Sequence, residues 1–242
     1  MRSIGTMLAM LLLASAARAG CLDEAAYGGV LERYASPAGV DYRGLRQAAE
    51  WQAVVESLAA CQPEGMAFWI NAYNILAMDL VVRHYPVESI RDIGSLLRPV
   101  WKREAGRIGG RGYSLDQIED DMLRARGEPR IHAAIVCASI SCPPLRREPY
   151  AQERLDTQLD DQMRRWLSDP ARGARLEGGT LYLSSVFTWF AEDFGDVLAF
   201  VRPYLPFDPG PAPRIRYLGY DWGLNEAPLE RVGNRLGRLI AS

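Results

Sequence analysis

The chain is nearly without lysine and poor in histidine. Among its 242 residues, Lys102 is the only lysine and His84 and His132 are the only histidines. Its 28 basic residues face 30 acidic ones, so no basic excess is left to neutralise phosphates, and a nucleic-acid partner is not expected. Arginine carries nearly all of the positive charge, which reads as a coding bias toward GC rather than as a functional signal. There is no P-loop and no G-x-G-x-x-G, which leaves nucleotide chemistry without support. No spacing of His, Cys and carboxylates matches a zinc site, and neither a metal nor another cofactor is expected. His84, at the end of a helical stretch, reads as a partner of the helix dipole. No repeat, low-complexity tract or Pro/Gly linker divides the chain. No apolar run is read as a permanent membrane span.

The N-terminus reads as an export signal over residues 1–19. Arg2 supplies the positive start, Met7 to Ala14 the apolar core, and Ala17-Arg18-Ala19 a small-x-small cleavage site. Cys21 would suit a lipoprotein signal, but Arg18 stands where such signals want Leu, so lipid anchoring is not expected. The mature chain, residues 20–242, is read as a single globular domain, exported to the periplasm or secreted. About 220 residues can bury a sizeable core. All four cysteines, Cys21, Cys61, Cys137 and Cys142, lie beyond the cleavage site, and an even number in an oxidising compartment favours disulfides. Of the three possible pairings, Cys21–Cys61 with Cys137–Cys142 joins near neighbours and is preferred.

The hydrophobic pattern predicts an α+β fold, with a long central buried helix packed on a mainly antiparallel sheet and further amphipathic helices outside. Leu22 to Tyr34 and Leu45 to Ala60 have helical spacing, separated by the turn Ser36-Pro-Ala-Gly39. Pro63 opens the longest helix, from about Glu64 to His84, with Pro86 just beyond it. That helix is apolar on nearly every side, which places it at the centre of the fold. Its exceptions are Asn71, Asn74 and Asp79. Asn71 and Asn74 share a face and must find partners when buried, either as clamps on neighbouring loops or as polar groups of a site. Arg107 to Tyr113 and Leu176 to Leu183 read as hairpins. Ser114-Leu-Asp-Gln117 has the form of a capping box opening a helix to about Arg126. Ile131 to Ala138 reads as the central strand, Ala151 to Leu167 as an amphipathic helix, and Arg214 to Tyr220 as a late strand. Val186 to Tyr204 is mostly helical and carries Phe187, Trp189, Phe190 and Phe194.

The densest collection of reactive side chains is the run from Arg130 to Leu145, with His132, Cys137, Ser139, Ser141, Cys142 and a double proline. A regular strand would put His132 on one face and Cys137 on the other. Any Cys/His pair should therefore join His132 to Cys142, which lies beyond a turn, with Ser139 and Ser141 as substitutes. A thiolate needs an imidazole beside it and a third group to orient that imidazole. Asn71, Asn74, Glu119 and Asp193 are the candidate orienters. A Cys137–Cys142 bridge would remove the nucleophile and leave a water in its place. Arg130, Ser139, Ser141, Trp189 and Asp193 are candidate ligand contacts.

Several ordered segments resemble the bacterial and eukaryotic family known as domain of unknown function 547. They are Phe68-Trp-Ile-Asn-Ala-Tyr-Asn74, Tyr85-Pro-Val-Glu-Ser-Ile-Arg91, Tyr113-Ser-Leu-Asp-Gln-Ile-Glu119, Pro129-Arg-Ile-His132 and Cys137-Ala-Ser-Ile-Ser-Cys-Pro-Pro-Leu145. Trp189-Phe-x-x-Asp-Phe194 and Tyr220-Asp-Trp-Gly-Leu-Asn225 continue the series, so the resemblance covers roughly residues 40 to 225. It implies that Asn71, Asn74, Glu119, Arg130, His132, Cys137 and Cys142 belong to a shared pattern. Glu128 departs from the Asp that such proteins often carry before Pro-Arg. The family implies no activity. From site chemistry, the reading is a hydrolase or acyl-transfer enzyme with His132 as general base, Cys142 or water as attacking group and Asn71 or Asn74 as polariser. The competing reading is a non-catalytic binding module for a peptide, glycan or envelope partner, with the aromatic cluster around Trp189 lining its cleft and Asn71, Glu119 and His132 forming a structural network.

Overall fold

The computed structural model describes residues 22–228. The export reading of residues 1–19 and the expected partner of Cys61, Cys21, lie outside the described residues. The fold is α+β. Glu24–Tyr34 (α1) starts at Asp23, whose carboxylate accepts from the Ala26 N–H as an N-cap. A minimal hairpin follows, Ala35–Ser36 (β1) with Gly39–Val40 (β2). Gly39 has φ +134°, and a Cβ there would run into the Asn225 backbone, so only glycine lets the closing segment lie against this turn. The stretch read as one helix from Leu45 to Ala60 is two, Tyr42–Gln47 (α2) and Ala49–Ala60 (α3). Between them Ala48 is extended and ends the first ladder.

Gly65–His84 (α4) is the centre of the molecule. Ile70, Ile75, Leu76 and Val81 are fully buried, as are the small residues Ala72 and Ala77. It is the one described helix long and apolar enough to cross a membrane, and it lies inside the core. Glu104–Ile108 (β3) and Arg111–Ser114 (β4) form an antiparallel hairpin against α3 and α4. The capping box at Ser114 and Gln117 then forms as read, each side chain bonding the other residue's backbone N–H. It opens Leu115–Gln117 (α5), which passes into a π-helical turn, Ile118–Leu123, and a 3-10 turn, Arg124–Arg126.

Ile131 to Ala138 is not a strand. Ile131–Ala134 (α6) is a single helical turn, Ile135 is extended, and residues 135–138 pair with no strand among the described residues. A short apolar run cannot distinguish helix from strand by period alone, and here the local backbone bonds are those of a turn, Ala133 N–H to Arg130 O and Ile135 N–H to Ile131 O. The extended part takes its hydrogen bonds from the Asn74 side chain instead of from a sheet. In place of one sheet against the long helix there are two short hairpins and a three-stranded sheet. In the latter, Ala174–Glu177 (β5) is antiparallel to Thr180–Leu183 (β6), which runs parallel to Arg214–Tyr217 (β7).

Two cores result. The larger surrounds α4; the smaller joins Leu155–Leu167 (α7), β5, β6 and the short helices Val186–Trp189 (α8), Ala191–Phe194 (α9) and Val197–Val201 (α10). Ile131 and Ala134 belong to the first core and Ala133 to the second. The α6 turn therefore sits where the two cores meet, and His132 sits on that turn.

Candidate active site

His132 is buried, with 3 % of its surface exposed. Its ring stacks on Phe190 at 4.1 Å between centroids and lies against Phe194. Its Nε2 is 2.7 Å from Asp193 Oδ2. Asp193 is in turn gripped by Arg124, whose Nε meets Oδ2 at 2.6 Å and whose Nη2 meets Oδ1 at 3.0 Å. Those hydrogen bonds hold the Asp193 carboxyl below its ordinary range, with the His132 bond adding to the effect. An ionised Asp193 fixes the imidazole with its proton on Nε2 and leaves Nδ1 bare. Burial lowers the His132 pKa, against the pull of Asp193, so the ring is neutral at pH 7 and able to accept a proton.

On the other side of the ring, Glu119 Oε1 is 3.8 Å from Nδ1. Glu119 is 9 % exposed, and burial, with Asp120 and Asp116 nearby, pushes its carboxyl up to about 7. Tyr73 donates to its other oxygen at 3.4 Å. At neutral pH the contact is thus not an ion pair: a neutral imidazole faces a carboxyl on the point of losing its proton. Glu119, brought toward neutrality, and His132, held uncharged by burial, can act as an acid–base pair.

The π-helical turn is what aligns this row. The Arg124 N–H bonds the Glu119 carbonyl five residues back, a register that stacks positions 119 and 124 more nearly above one another than an α-helix does. Glu119 and Arg124 can then reach opposite ends of the His132–Asp193 pair. The row reads Arg124, Asp193, His132, Glu119.

A cavity of about 90 Å³ opens beside it, lined by Tyr73, Glu119, His132, Cys137, Cys142, Phe190 and Tyr220, with Trp101, Trp189 and Trp222 toward the outside. It has room for a water and a small reacting group, not for a whole substrate. Trp101 and Trp222 also line a groove of about 1070 Å³ together with Glu88, Arg91, Leu96 and Asp221. Trp189 is 47 % exposed and stacks on Trp222.

Cys137 and Cys142 are bridged, with Cα atoms 6.2 Å apart. Because residues 131–134 are helical, His132 and Cys137 are not sent to opposite faces, and both line the cavity. Tyr220 OH lies 3.2 Å from Cys137 Sγ and 3.3 Å from Cys142 Sγ. Ser139 Oγ donates to Tyr220 at 3.1 Å. Burial pushes the Tyr220 hydroxyl up to about 12, so it remains a donor.

Asn71 and Asn74 do not serve as polarisers. The Asn71 amide donates to Tyr150 O at 2.8 Å and accepts from Tyr150 N–H at 2.9 Å. Asn74 does the same across Ala134 O and Val136 N–H, at 2.9 and 2.8 Å. Both clamp loops to α4, and Asn74 holds the segment that carries His132. Arg130 is not placed for a ligand either, since Glu128, Asp156 and Asp160 take its guanidinium. Ser141 accepts from the Asp221 N–H and pins the closing segment. The contributions of Arg124, Tyr73, Tyr220, Trp101 and Trp222 were not read from the sequence, whereas Phe190 belongs to the aromatic cluster read around Trp189. Tyr73, Tyr220 and Trp222 lie within segments of the family resemblance, which was their one visible signal. Among the described residues no group of three His, Cys, Asp or Glu side chains is placed to hold a metal ion.

Residues 57–167 match the family described as "Protein of unknown function, DUF547". No curated protein and no solved structure matches the chain. The matched stretch contains Asn71, Asn74, Glu119, Arg124, His132 and both bridged cysteines, and it ends before Asp193 and Tyr220.

Proposed function

We propose that this chain, whose residues 57–167 match the domain of unknown function 547 family, is a hydrolase or acyl-transfer enzyme centred on His132. The observation that carries the reading is the buried row Arg124–Asp193–His132–Glu119 at the edge of a small cavity. Asp193 orients the ring, His132 Nδ1 takes the proton of the attacking group, and Glu119 returns a proton to the leaving group. With the cysteines bridged, the attacking group is a water held in the cavity. The rest of the substrate lies in the groove beyond Trp101 and Trp222. The signal-like residues 1–19 support a periplasmic or secreted location for this chemistry.

The test is hydrolysis of p-nitrophenyl acetate and longer p-nitrophenyl acyl esters by the wild type, His132→Ala and Glu119→Gln, with circular dichroism to confirm folding. Both folded variants should lose at least ~10²-fold in turnover, the lower range for a general acid or base. Turnover equal to the wild type in His132→Ala would end the proposal.

One observation favours a binding module instead. The half-exposed Trp189 and its stacked partner Trp222 offer an aromatic rim at the cavity mouth. Under that reading, peptide or glycan oligomers raise the melting temperature without being turned over.

A further inference from the structure

The surroundings of the Cys137–Cys142 bridge differ between its two sulfurs. Cys142 is buried and Cys137 is half-buried. The Cys142 sulfur lies 3.0 Å from the backbone N–H of Cys137, 3.2 Å from Ser139 Oγ and 3.3 Å from Tyr220 OH. The Cys137 sulfur meets Ser139 and Tyr220, at 3.3 and 3.2 Å, but among the described residues no backbone N–H. The loop between the cysteines is fixed from outside. Ile140 N–H bonds Gly223 O, Ser141 N–H bonds Asp221 O and Asn225 N–H bonds Ala138 O. These contacts hold Ala138 at φ +57°, a conformation that a residue with a Cβ rarely adopts unless its surroundings enforce it.

We propose that this bridge is an exchangeable disulfide, whose reduction by a dithiol frees Cys142 as a thiolate nucleophile in the His132 cavity. An incoming thiolate attacks the sulfur of Cys137, the less buried of the two residues, and the S–S bond breaks with its electron pair going to Cys142. The Cys137 N–H, Ser139 and Tyr220 stabilise that leaving thiolate, and a stabilised leaving group speeds exchange. The second thiol of the dithiol then attacks the mixed disulfide and departs as its own disulfide, releasing Cys137 as a thiol. Two electrons pass from dithiol to protein. Because the clamped loop keeps the sulfurs in place, the freed Cys142 takes the position of the attacking group and forms a thioester with the acyl carbon. The leaving group departs with the proton that Glu119 supplies. This last step rests on the acyl-transfer reading above; the exchange does not.

The test is reduction of the folded protein with dithiothreitol, followed by iodoacetamide alkylation across a pH series with peptide mass mapping. Cys142 should alkylate with a midpoint at least ~1 pH unit below the roughly 8.5 of a free thiol. Tyr220→Phe should move that midpoint upward, and Ser139→Ala should do the same if Tyr220→Phe does not fold. A bridge that is reduced only after denaturation, or a Cys142 that titrates like a free thiol, overturns the exchange proposal. In a separate arm, reduced protein treated with p-nitrophenyl acetate should gain one acetyl group, mapped to Cys142 and absent from Cys142→Ser. A low alkylation midpoint with no acetyl adduct would sink the acyl step while the exchange stands. An ordinary midpoint with ester turnover in the bridged form would sink the exchange while the water reaction stands.

Discussion

Replacing Glu119 by Gln should stabilise the protein at alkaline pH while removing its activity. Glu119 is buried against Tyr73 and His132, with its carboxyl pushed from an ordinary 4.5 to about 7. Holding it ionised in that place costs the native state about 3 kcal/mol, at ~1.4 kcal/mol for each tenfold change in acidity. Between pH 4.5 and about 7 the native state therefore binds a proton that the unfolded chain has lost. Stability falls as pH rises across that window, and the contribution is gone above it. Gln keeps the shape and an oxygen for Tyr73 but cannot ionise. Urea unfolding of the wild type and Glu119→Gln at pH 5 and pH 8 isolates the effect, because both proteins share every other titrating group. The variant should gain relative to the wild type as pH rises, by up to about 3 kcal/mol at pH 8. A difference between the two proteins that does not change with pH would refute the account of Glu119 as a buried, proton-holding acid.

Other substitutions separate orientation, scaffolding and surface charge. Asp193→Asn keeps the size of the side chain but no longer holds the Nε2–H tautomer of His132, and ester turnover should fall ~10²–10⁴-fold with little loss of stability. Asn74→Ala removes two buried hydrogen bonds, to Ala134 O and Val136 N–H, and urea unfolding should show a loss of about 2–4 kcal/mol. Asn71→Ala should lose a similar amount of stability, but its folded fraction should keep its turnover, since the residue holds Tyr150 rather than the segment bearing His132. Arg130→Ala should change stability by no more than about 1 kcal/mol per broken pair, because Asp156 and Asp160 are exposed partners. Salt should shrink that effect in the same unfolding measurement.

Much of the scaffold was legible because local signals and burial agree. The apolar run of α4 between Pro63 and Pro86, the capping box at Ser114 and Gln117, and the turn-rich hairpin around Gly109 and Gly110 formed where their residues placed them. Ile131 to Ala138 misled because seven apolar residues around His132 fit a buried strand as well as a helical turn with an extended tail. What decided between them was the Asn74 carboxamide, which supplies hydrogen bonds that a neighbouring strand would otherwise make. The site was partly legible. Asn71, Asn74, Glu119 and His132 were picked out as polar groups, and all four are buried, yet a polar side chain in the sequence does not say where its bonds go. Asn71, Asn74 and Arg130 spend theirs on the fold. Asp193 meets His132 across 61 positions, and Arg124 joins them through a π-helical register. Asp193 was among the candidates to orient the ring, but nothing local pairs it with His132, and Arg124 has no signature at all.

The central claim concerns one imidazole, and nitrogen NMR of His132 tests it most directly. In protein labelled with ¹⁵N at histidine, the His132 ring at pH 7 should be neutral, protonated at Nε2 toward Asp193 and unprotonated at Nδ1. It should stay so below the pH at which a solvent-exposed histidine takes up its proton. A proton resident on Nδ1 at pH 7 would contradict the assignment of His132 as the base of this site, and a ring that titrates at or above the ordinary 6.5 would contradict its burial against Phe190 and Phe194.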